Sequence, residues 1–312
     1  MSILTLTLNP SIDHILIAES AHPGAKNLLK GSFTYYGGKG INVAFTLGKL
    51  GVSANACGFI GQDDRVGLHE KLSRNGIYPR ITTIDNKTRH TFKIMLSEGG
   101  KDTEYNEPGE AISTTHLEAL MNDLDDAMRD CKWLILSGSI PRGVPADFYA
   151  TLIQQCNGSG IQTILDTSGE ALKNGIQASP TVLRINKDEL HEIFPEYGGR
   201  KDGMQSALVQ LHQEGIPYCV VSLGENGATG FDGEQFVDAR VPKVRTLSLT
   251  GAGDAMTAGI VATLSSGRSF AESLRYSAAL ATASTLKMEP GDFCQDDFED
   301  IYERTTIVQS FS

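Results

Sequence analysis

The stretch Trp133-Leu134-Ile135-Leu136 is a short apolar run that ends at Ser137-Gly138. A run this short, bounded by a polar residue and a glycine, is typical of a buried strand. Similar runs alternate with segments long enough to form helices, and this alternation predicts an α/β fold with a mostly parallel sheet. The other strand-like runs are 3–8, 163–166, 182–186 and 218–222, and the helix-length segments include 114–130, 145–159, 186–194 and 202–214.

Two regions, 11–36 and 81–106, interrupt this alternation. Both are rich in Thr, Ile, Phe and Tyr and lack a long helical period, so they are predicted to form additional strands. In an open α/β sheet the ligand crevice lies outside the carboxyl ends of the strands. We therefore expect a single domain, 1–312, in which a small sheet built from these two regions covers the crevice as a lid.

The composition excludes several classes of protein. The chain has 312 residues, of which 40% are hydrophobic and 21% charged, as in an ordinary globular domain. A net charge of −11 gives no reason to expect a nucleic-acid partner, which needs a basic surface. The five scattered cysteines predict neither disulfides nor a zinc site. The sequence shows neither a membrane span nor a signal-peptide pattern, so the cytoplasm is the expected location.

The first glycine motif is Gly37-Gly38-Lys39-Gly40-Ile41-Asn42-Val43-Ala44, which opens an apolar helix running to Gly51. Glycines at such a place let the backbone approach a ligand closely. The third glycine of a GxGxxG fingerprint is absent, so a nicotinamide-dependent oxidoreductase is not expected. The motif is not a Walker A loop either, because the chain contains no GxxxxGK[ST] pattern. A tight turn before a helix is the alternative interpretation of this motif.

The second glycine motif is Ser248-Leu249-Thr250-Gly251-Ala252-Gly253-Asp254, which precedes a helix of small residues. Successive backbone N–H groups at a helix N-terminus form an anion site. Asp254 has two interpretations there: an N-cap of the helix, or a carboxylate directed at a reacting hydroxyl. A carboxylate beside an anion site disfavours passive phosphate binding but suits phosphoryl transfer, in which positioning and charge stabilisation dominate.

Together and in this order, the two motifs resemble those of the ribokinase-like, PfkB-type carbohydrate kinases. Within that family the chain is similar to the subgroup of 1-phosphofructokinases and tagatose-6-phosphate kinases, and the resemblance covers essentially its whole length. The family implies a three-layer α/β/α domain with a small β-sheet lid, and it implies ATP and Mg²⁺ as cofactors. Further segments that resemble the subgroup are 8–13, 88–89, 103–109, 137–143 and 222–228.

The resemblance implies roles for individual residues. Asp254 would accept the proton of the attacking sugar hydroxyl, while Gly251, Ala252 and Gly253 would present N–H groups to the migrating phosphoryl group. Arg89 would bind a phosphate already present on the sugar, where a guanidinium suits a dianion. The residues implied to hold or assist the sugar are Asp13, Gly38, Lys39, Asn42, Ser139 and Lys26.

On the nucleotide side, the resemblance implies Arg184, Asn186, Ser222, Gly224 and Gly227. Asn186 and Glu189 form an NxxE pattern that would orient Mg²⁺ through its waters, since this ion keeps much of its hydration shell. The same pair is also the pattern of a helix capping box, and the two uses are compatible. Relatives in the wider family can hold K⁺ near the backbone of Ser248 and Thr250, and relatives of the subgroup often pair through their lids. K⁺ and a homodimer are therefore further expectations.

Two departures from the subgroup concern the substrate. Arg184-Ile185-Asn186 stands where the subgroup usually has Lys-Pro-Asn, and Leu28 stands where it tends to have an arginine, for which Lys26 or Lys30 is the available replacement. The expected function is phosphorylation of a ketohexose phosphate of the tagatose 6-phosphate or fructose 1-phosphate type. The alternatives are a kinase of an unphosphorylated sugar or nucleoside, and a non-catalytic sugar-phosphate sensor, which the presence of Asp254 disfavours.

Overall fold

The computed structural model of the chain describes residues 2–96, 102–197 and 201–311. Its strands are β1 (Ser2–Thr7), β2 (Ser11–Ala18), β3 (Leu29–Gly37), β4 (Ala54–Gly61), β5 (Ile77–Ile84), β6 (Arg89–Leu96), β7 (Thr103–Asn106), β8 (Cys131–Ser137), β9 (Gln162–Asp166), β10 (Val182–Asn186), β11 (Tyr218–Ser222), β12 (Ala228–Phe231), β13 (Gln235–Arg240) and β14 (Thr306–Phe311). Its helices are α1 (Lys39–Lys49), α2 (Arg65–Arg74), α3 (Thr114–Met128), α4 (Phe148–Ser159), α5 (Gly169–Gln177), α6 (Lys187–Ile193), α7 (Lys201–Gln213), α8 (Ala252–Ser265), α9 (Phe270–Ser284) and α10 (Gln295–Arg304).

The large sheet has the strand order β14-β13-β12-β11-β10-β9-β8-β1-β4-β5. Neighbouring strands are parallel from β5 to β11, and β12, β13 and β14 continue the sheet as antiparallel strands. In the central strand β8, consecutive residues Leu134, Ile135 and Leu136 are all fully buried. Such a continuous apolar run is what burial on both faces of a parallel sheet requires. The predicted α/β fold is confirmed.

Helices cover both faces of this sheet. On one face Leu120 of α3, Tyr149 of α4 and Leu208 of α7 belong to one buried apolar cluster. On the other face Ile41 of α1 and Ile260 of α8 belong to a second cluster. The three-layer α/β/α architecture implied by the family resemblance is thus confirmed. Among the described residues, no helix combines the length and the apolar character that crossing a membrane requires.

A separate small sheet has the order β3-β2-β6-β7. Its strands come from residues 11–37 and 89–106, so it draws on both regions that interrupt the alternation. Residues 81–84 do not join it: they end β5 of the large sheet, where Ile81 pairs with Gly58 and Ile84 with Gly61 of β4. Because side chains alternate along a strand, one face of the small sheet carries Asp13 and Thr91 and the other carries His14.

Candidate active site

Helix α8 begins with a turn that needs glycine. Gly251 is its N-cap and has a φ of 82°, in the left-handed region that favours glycine. A Cβ at this position would also lie 2.7 Å from the backbone nitrogen of Gly291. The first N–H groups of a helix have no partner within it. That of Ala252 makes a long hydrogen bond of 3.4 Å to the backbone oxygen of Leu249, and it and the N–H of Gly253 point to where an anion would bind at a helix start. The turn therefore has the geometry of an anion site.

Asp254 is the third residue of α8 and is 5% exposed. The N-cap is Gly251, so the carboxylate of Asp254 does not cap the helix. Asn42 Nδ2 donates to Asp254 Oδ2 at 2.8 Å across 212 positions of sequence, which joins the two glycine motifs. Burial raises the pKa of Asp254 to about 6, although Lys39 acts in the opposite direction. A carboxylate with a pKa near neutrality is well suited to accept a proton.

Asp166, the last residue of β9, is completely buried and organises the charges around Asp254. Lys39 Nζ donates to its Oδ1 at 2.6 Å, and Thr257 Oγ1 donates to its Oδ2 at 2.9 Å. Arg184 Nη1 lies 3.3 Å from Asp166 Oδ1. Burial alone would raise the pKa of Asp166, but Lys39 and Arg184 lower it to about 2. Asp166 is therefore ionised at neutral pH, and its negative charge holds both cations in place.

Arg184 connects this anion to the anion turn. Its Nη2 donates to Ser222 Oγ at 2.9 Å, at the end of the neighbouring strand β11. A Cβ on Gly253 would lie 2.7 Å from the same Nη2 atom, so the guanidinium packs directly against the turn. The arginine that replaces the subgroup's usual lysine thus spans from Ser222 to Gly253. Its charge lies where an anion at the turn would be bound.

The small sheet contributes the opposite wall. Ser11 Oγ and Thr91 Oγ1 donate to Asp13 Oδ1 at 2.6 Å and 2.7 Å, respectively, which fixes the carboxylate. Gly37 packs against this carboxylate so closely that a Cβ there would overlap it. Gly38 has a φ of 115°, again in the left-handed region. The glycines of the first motif therefore place Asp13 at the entrance to α1.

Arg89 lies at the start of β6, beside the end of β1. Its Nε and Nη2 donate to the backbone oxygen of Asn9 at 3.3 Å, and its Nη1 donates to that of Glu107 at 3.2 Å. Asn9 Nδ2 in turn donates to Ser139 Oγ at 3.0 Å. The structure therefore brings Arg89 and the exposed Ser139 to the same corner, joined through Asn9.

These elements enclose a cleft of about 400 Å³ between the small sheet and the carboxyl ends of the large one. Its lining combines predicted sugar-side, catalytic and nucleotide-side residues. They are Asp13, Gly38, Lys39, Asn42, Arg89, Arg184, Asn186, Gly251, Gly253 and Asp254. The two motifs that define the sequence therefore meet in one cavity.

The remaining predicted residues lie outside the cleft lining. Lys26 is exposed on the loop between β2 and β3. Gly224 and Gly227 belong to the turn between β11 and β12, where Leu223, Glu225 and Asn226 line a second groove of about 450 Å³. That groove also contains Lys187, so it adjoins the start of α6.

Asn186 and Glu189 form the predicted capping box of α6. Asn186 Oδ1 accepts from the Glu189 backbone N–H at 2.9 Å, and Glu189 Oε2 accepts from that of Asn186 at 2.8 Å. Burial raises the pKa of Glu189, and Lys39 opposes this shift. The box holds the carboxylate at the carboxyl end of β10, and each carboxylate oxygen retains further acceptor capacity.

Three further residues of the site, Asp166, Thr257 and Lys93, lie outside the motifs that the sequence offers. The signal for Asp166 was its place at the end of a predicted strand, where polar residues are expected to meet. The signal for Lys93 was alternation, because residues 89, 91 and 93 share one face of β6. Lys93 is buried and lines the cleft with Arg89 and Thr91.

An anion turn beside the buried carboxylate of Asp254, at the cleft of an α/β fold, suits a phosphotransferase. The family model for pfkB family carbohydrate kinases matches residues 6–297. The chain belongs to this family of ATP-dependent carbohydrate kinases.

Similar proteins carry more specific names. A 1-phosphofructokinase of Xanthomonas campestris is 34% identical over 295 residues, covering 93% of this chain and 92% of that protein. A tagatose-6-phosphate kinase of Staphylococcus epidermidis is 28% identical over 311 residues, covering 98% of this chain and 99% of that protein. Phosphofructokinase-2 from Escherichia coli, in complex with substrates and products, has a TM-score of 0.90 at 28% identity and covers 97% of this chain and 99% of that one. Other structures of the Escherichia coli protein are described as a potassium complex and as a tetrameric inhibited form.

Proposed function

We propose that the chain transfers the γ-phosphoryl group of ATP to a hydroxyl of a ketohexose phosphate and so forms a bisphosphate. The acceptor is of the tagatose 6-phosphate or fructose 1-phosphate type. The observation that carries this proposal is the single cleft lined by Asp13, Arg89 and Asp254. Asp13 supplies a hydrogen-bond acceptor for the sugar hydroxyls, Arg89 supplies a cation for the phosphate that the sugar already carries, and Asp254 supplies a buried base. The names of the two curated relatives support the same class of substrate.

The reaction is an in-line displacement at phosphorus. The sugar oxygen forms a bond to the γ-phosphorus, the bond to the bridging oxygen of ATP breaks, and ADP leaves with that electron pair. Asp254 accepts the hydroxyl proton as the new bond forms, since a free alcohol is too weak an acid to lose it beforehand. The anion turn and Arg184 stabilise the charge on the transferred group. Asn42 Oδ1 is buried without a hydrogen-bond partner among the described residues, and it suits a sugar hydroxyl.

ATP and Mg²⁺ fit the residues at the end of β10. The groove beside Leu223 and Asn226 suits the adenosine, because it adjoins the cleft through Lys187 and Asn186. Glu189 and Asn186 each use one oxygen in the capping box, so they would hold Mg²⁺ through water rather than as a closed protein cage. When bound, the ion neutralises charge on the ATP phosphates. K⁺ near the backbone of Ser248 and Thr250 is part of the same proposal.

A homodimer through the small sheet is also proposed. The sheet face opposite the cleft carries the partly buried side chains of Leu16, Ile94 and Leu96. Tyr105 on the neighbouring strand β7 is 61% exposed. An apolar sheet face of this kind is stabilised by a second copy, and analytical ultracentrifugation tests the assembly directly.

Arg89 decides between a phosphorylated and a free sugar. An ADP-release assay should compare tagatose 6-phosphate, fructose 1-phosphate, fructose 6-phosphate and the free ketoses. We expect kcat/KM to be highest for a sugar phosphate, and Arg89→Met to lower it by about 10- to 100-fold for that acceptor, since hydrogen bonds to charged groups contribute about 1.5–3 kcal/mol. Arg74→Met, which changes an exposed arginine of α2, is the matched control. A wild-type preference for free ketoses that Arg89→Met leaves unchanged contradicts the substrate assignment.

The raised pKa of Asp254 predicts a pH dependence. The base is protonated below a pH of about 6, so kcat should fall as the pH drops through that value. A sugar phosphate also titrates near pH 6, so a second variant is needed to separate the two groups. Asn42 lowers the pKa of Asp254 through its hydrogen bond, and Asn42→Ala should therefore move the inflection to higher pH. An inflection that stays in place in Asn42→Ala belongs to the substrate and counts against Asp254 as the base.

A further inference from the structure

Lys93 is a buried lysine on the cleft side of the small sheet. It is 9% exposed and lines the cleft together with Arg89 and Thr91, which precede it by four and two positions on β6. Strand alternation explains the arrangement, because residues two apart point to the same face. A lysine is almost never buried to this extent unless its charge is paired.

The partners of Lys93 come from two sides. Its Nζ lies 3.1 Å from Asp102 Oδ2 and 3.7 Å from Glu104 Oε1, both near the neighbouring strand β7. The same atom donates to Thr250 Oγ1 at 3.0 Å. Thr250 directly precedes Gly251, the N-cap of the anion turn. The ammonium therefore stands at the entrance to the turn, held there by residues of the small sheet.

The row along β6 spans the whole site. At one end Arg89 is bonded to Asn9, in the middle Thr91 donates to Asp13, and at the other end Lys93 donates to Thr250. The four residue steps from Arg89 to Lys93 cover about 13 Å along the strand. A ketohexose bisphosphate carries its two phosphates at opposite ends of the carbon chain. The row matches this arrangement, because Arg89 and Lys93 lie on either side of Asp13, the residue proposed to hold the sugar hydroxyls.

We infer that Lys93 binds the phosphoryl group during its transfer from ATP, whereas Arg89 binds the phosphate that the sugar already carries. This inference deepens the proposed function and rests on it. As the bond to ADP breaks and the bond to the sugar oxygen forms, the ammonium exchanges Thr250 for an oxygen of the transferred group. It stabilises the charge there while Asp254 takes the proton. Lys93 thus acts on the group in transit, opposite the backbone N–H groups of α8.

Steady-state kinetics with the preferred acceptor test this assignment. Lys93→Met should lower kcat by about 10²–10³-fold, as loss of one preorganised donor to a transition state does, with little change in the KM of the sugar phosphate. Lys93→Arg should recover much of the loss, because it restores a cation. Arg89→Met should instead act mainly on the KM of the sugar phosphate. Lys173→Met, which changes an exposed lysine of α5, is the control for loss of a positive charge.

A purely structural role for Lys93 gives a different result. Asp102→Asn removes the nearest anionic partner but keeps the ammonium, so kcat should stay close to that of the wild type. If Asp102→Asn lowers kcat as far as Lys93→Met does, Lys93 serves only the ion pair and the inference is wrong. It is also wrong if Lys93→Met keeps a normal kcat, or if Lys93→Arg shows no recovery. Should the wild type prefer a free ketose, Arg89→Met has no effect, yet Lys93→Met must still lower kcat with that ketose.

Discussion

Asp254→Asn is expected to lower kcat by about 10²–10⁴-fold, the contribution that a positioned general base normally makes. The substitution keeps the shape of the side chain and leaves an amide that accepts no proton from the hydroxyl. Binding of ATP and of the sugar phosphate should persist, because neither is assigned to Asp254. Isothermal titration with the sugar phosphate and a steady-state assay measure the two properties separately.

The matched control for this variant is Asp292→Asn, a partly exposed carboxylate that pairs with Lys49. This variant makes the same change from carboxylate to amide, at a residue that follows Pro290 and Gly291 and does not line the cleft. Its kcat should remain close to that of the wild type. Near-normal turnover of Asp254→Asn, with binding intact, contradicts the role of Asp254 as the base.

Asp166→Ala is expected to lower the free energy of unfolding by about 3–5 kcal/mol, since removing one partner of a buried ion pair leaves an uncompensated charge. In this case two cations, Lys39 and Arg184, lose the same completely buried partner. Urea unfolding followed by circular dichroism measures the change. Thr257→Val removes a single neutral donor to Asp166 and should cost only about 1 kcal/mol.

The loss in free energy of unfolding caused by Asp166→Ala should also depend on pH. The folded-state pKa of Asp166 is lowered to about 2, below its unfolded value of about 3.9. A lowered pKa stabilises the folded state above the unfolded pKa, and the stabilisation is lost as the pH falls towards the folded value. The difference between wild type and variant should therefore be constant from pH 7 to about pH 5 and narrow below about pH 4. A difference under about 1 kcal/mol at pH 7 shows that Asp166 does not anchor the two cations.

The fold was largely predictable because its signal is local. Strands such as β8 and β10 are short apolar runs between polar ends, and the intervening helices keep a regular apolar spacing. The edge of the small sheet was less predictable. Residues 81–84 share the Thr and Ile content of the small sheet, but they pair with β4, and strand composition does not encode the choice of partner.

The candidate site was predictable only in its motifs. The glycines of each motif indicate a close approach of the backbone to a ligand, and Asp254 directly follows those of the second motif. Two other features depend on contacts between distant residues. The contact of Asn42 with Asp254, and the shared partner of Lys39 and Arg184, arise where separate strand ends meet. In the sequence, Asp166 is therefore indistinguishable from any polar residue at the end of a strand, and Lys93 from any lysine within a strand.

The most direct test of the proposed reaction is a phosphorus NMR measurement of its product. Wild type and Asp254→Asn should be incubated with ATP, Mg²⁺ and, in separate samples, tagatose 6-phosphate, fructose 1-phosphate and fructose 6-phosphate. We expect a new phosphate-ester resonance of a bisphosphate with the wild type for at least one acceptor, and almost none with Asp254→Asn over the same time. Absence of a bisphosphate from all three acceptors with the wild type, or equal formation by both proteins, contradicts the proposed reaction.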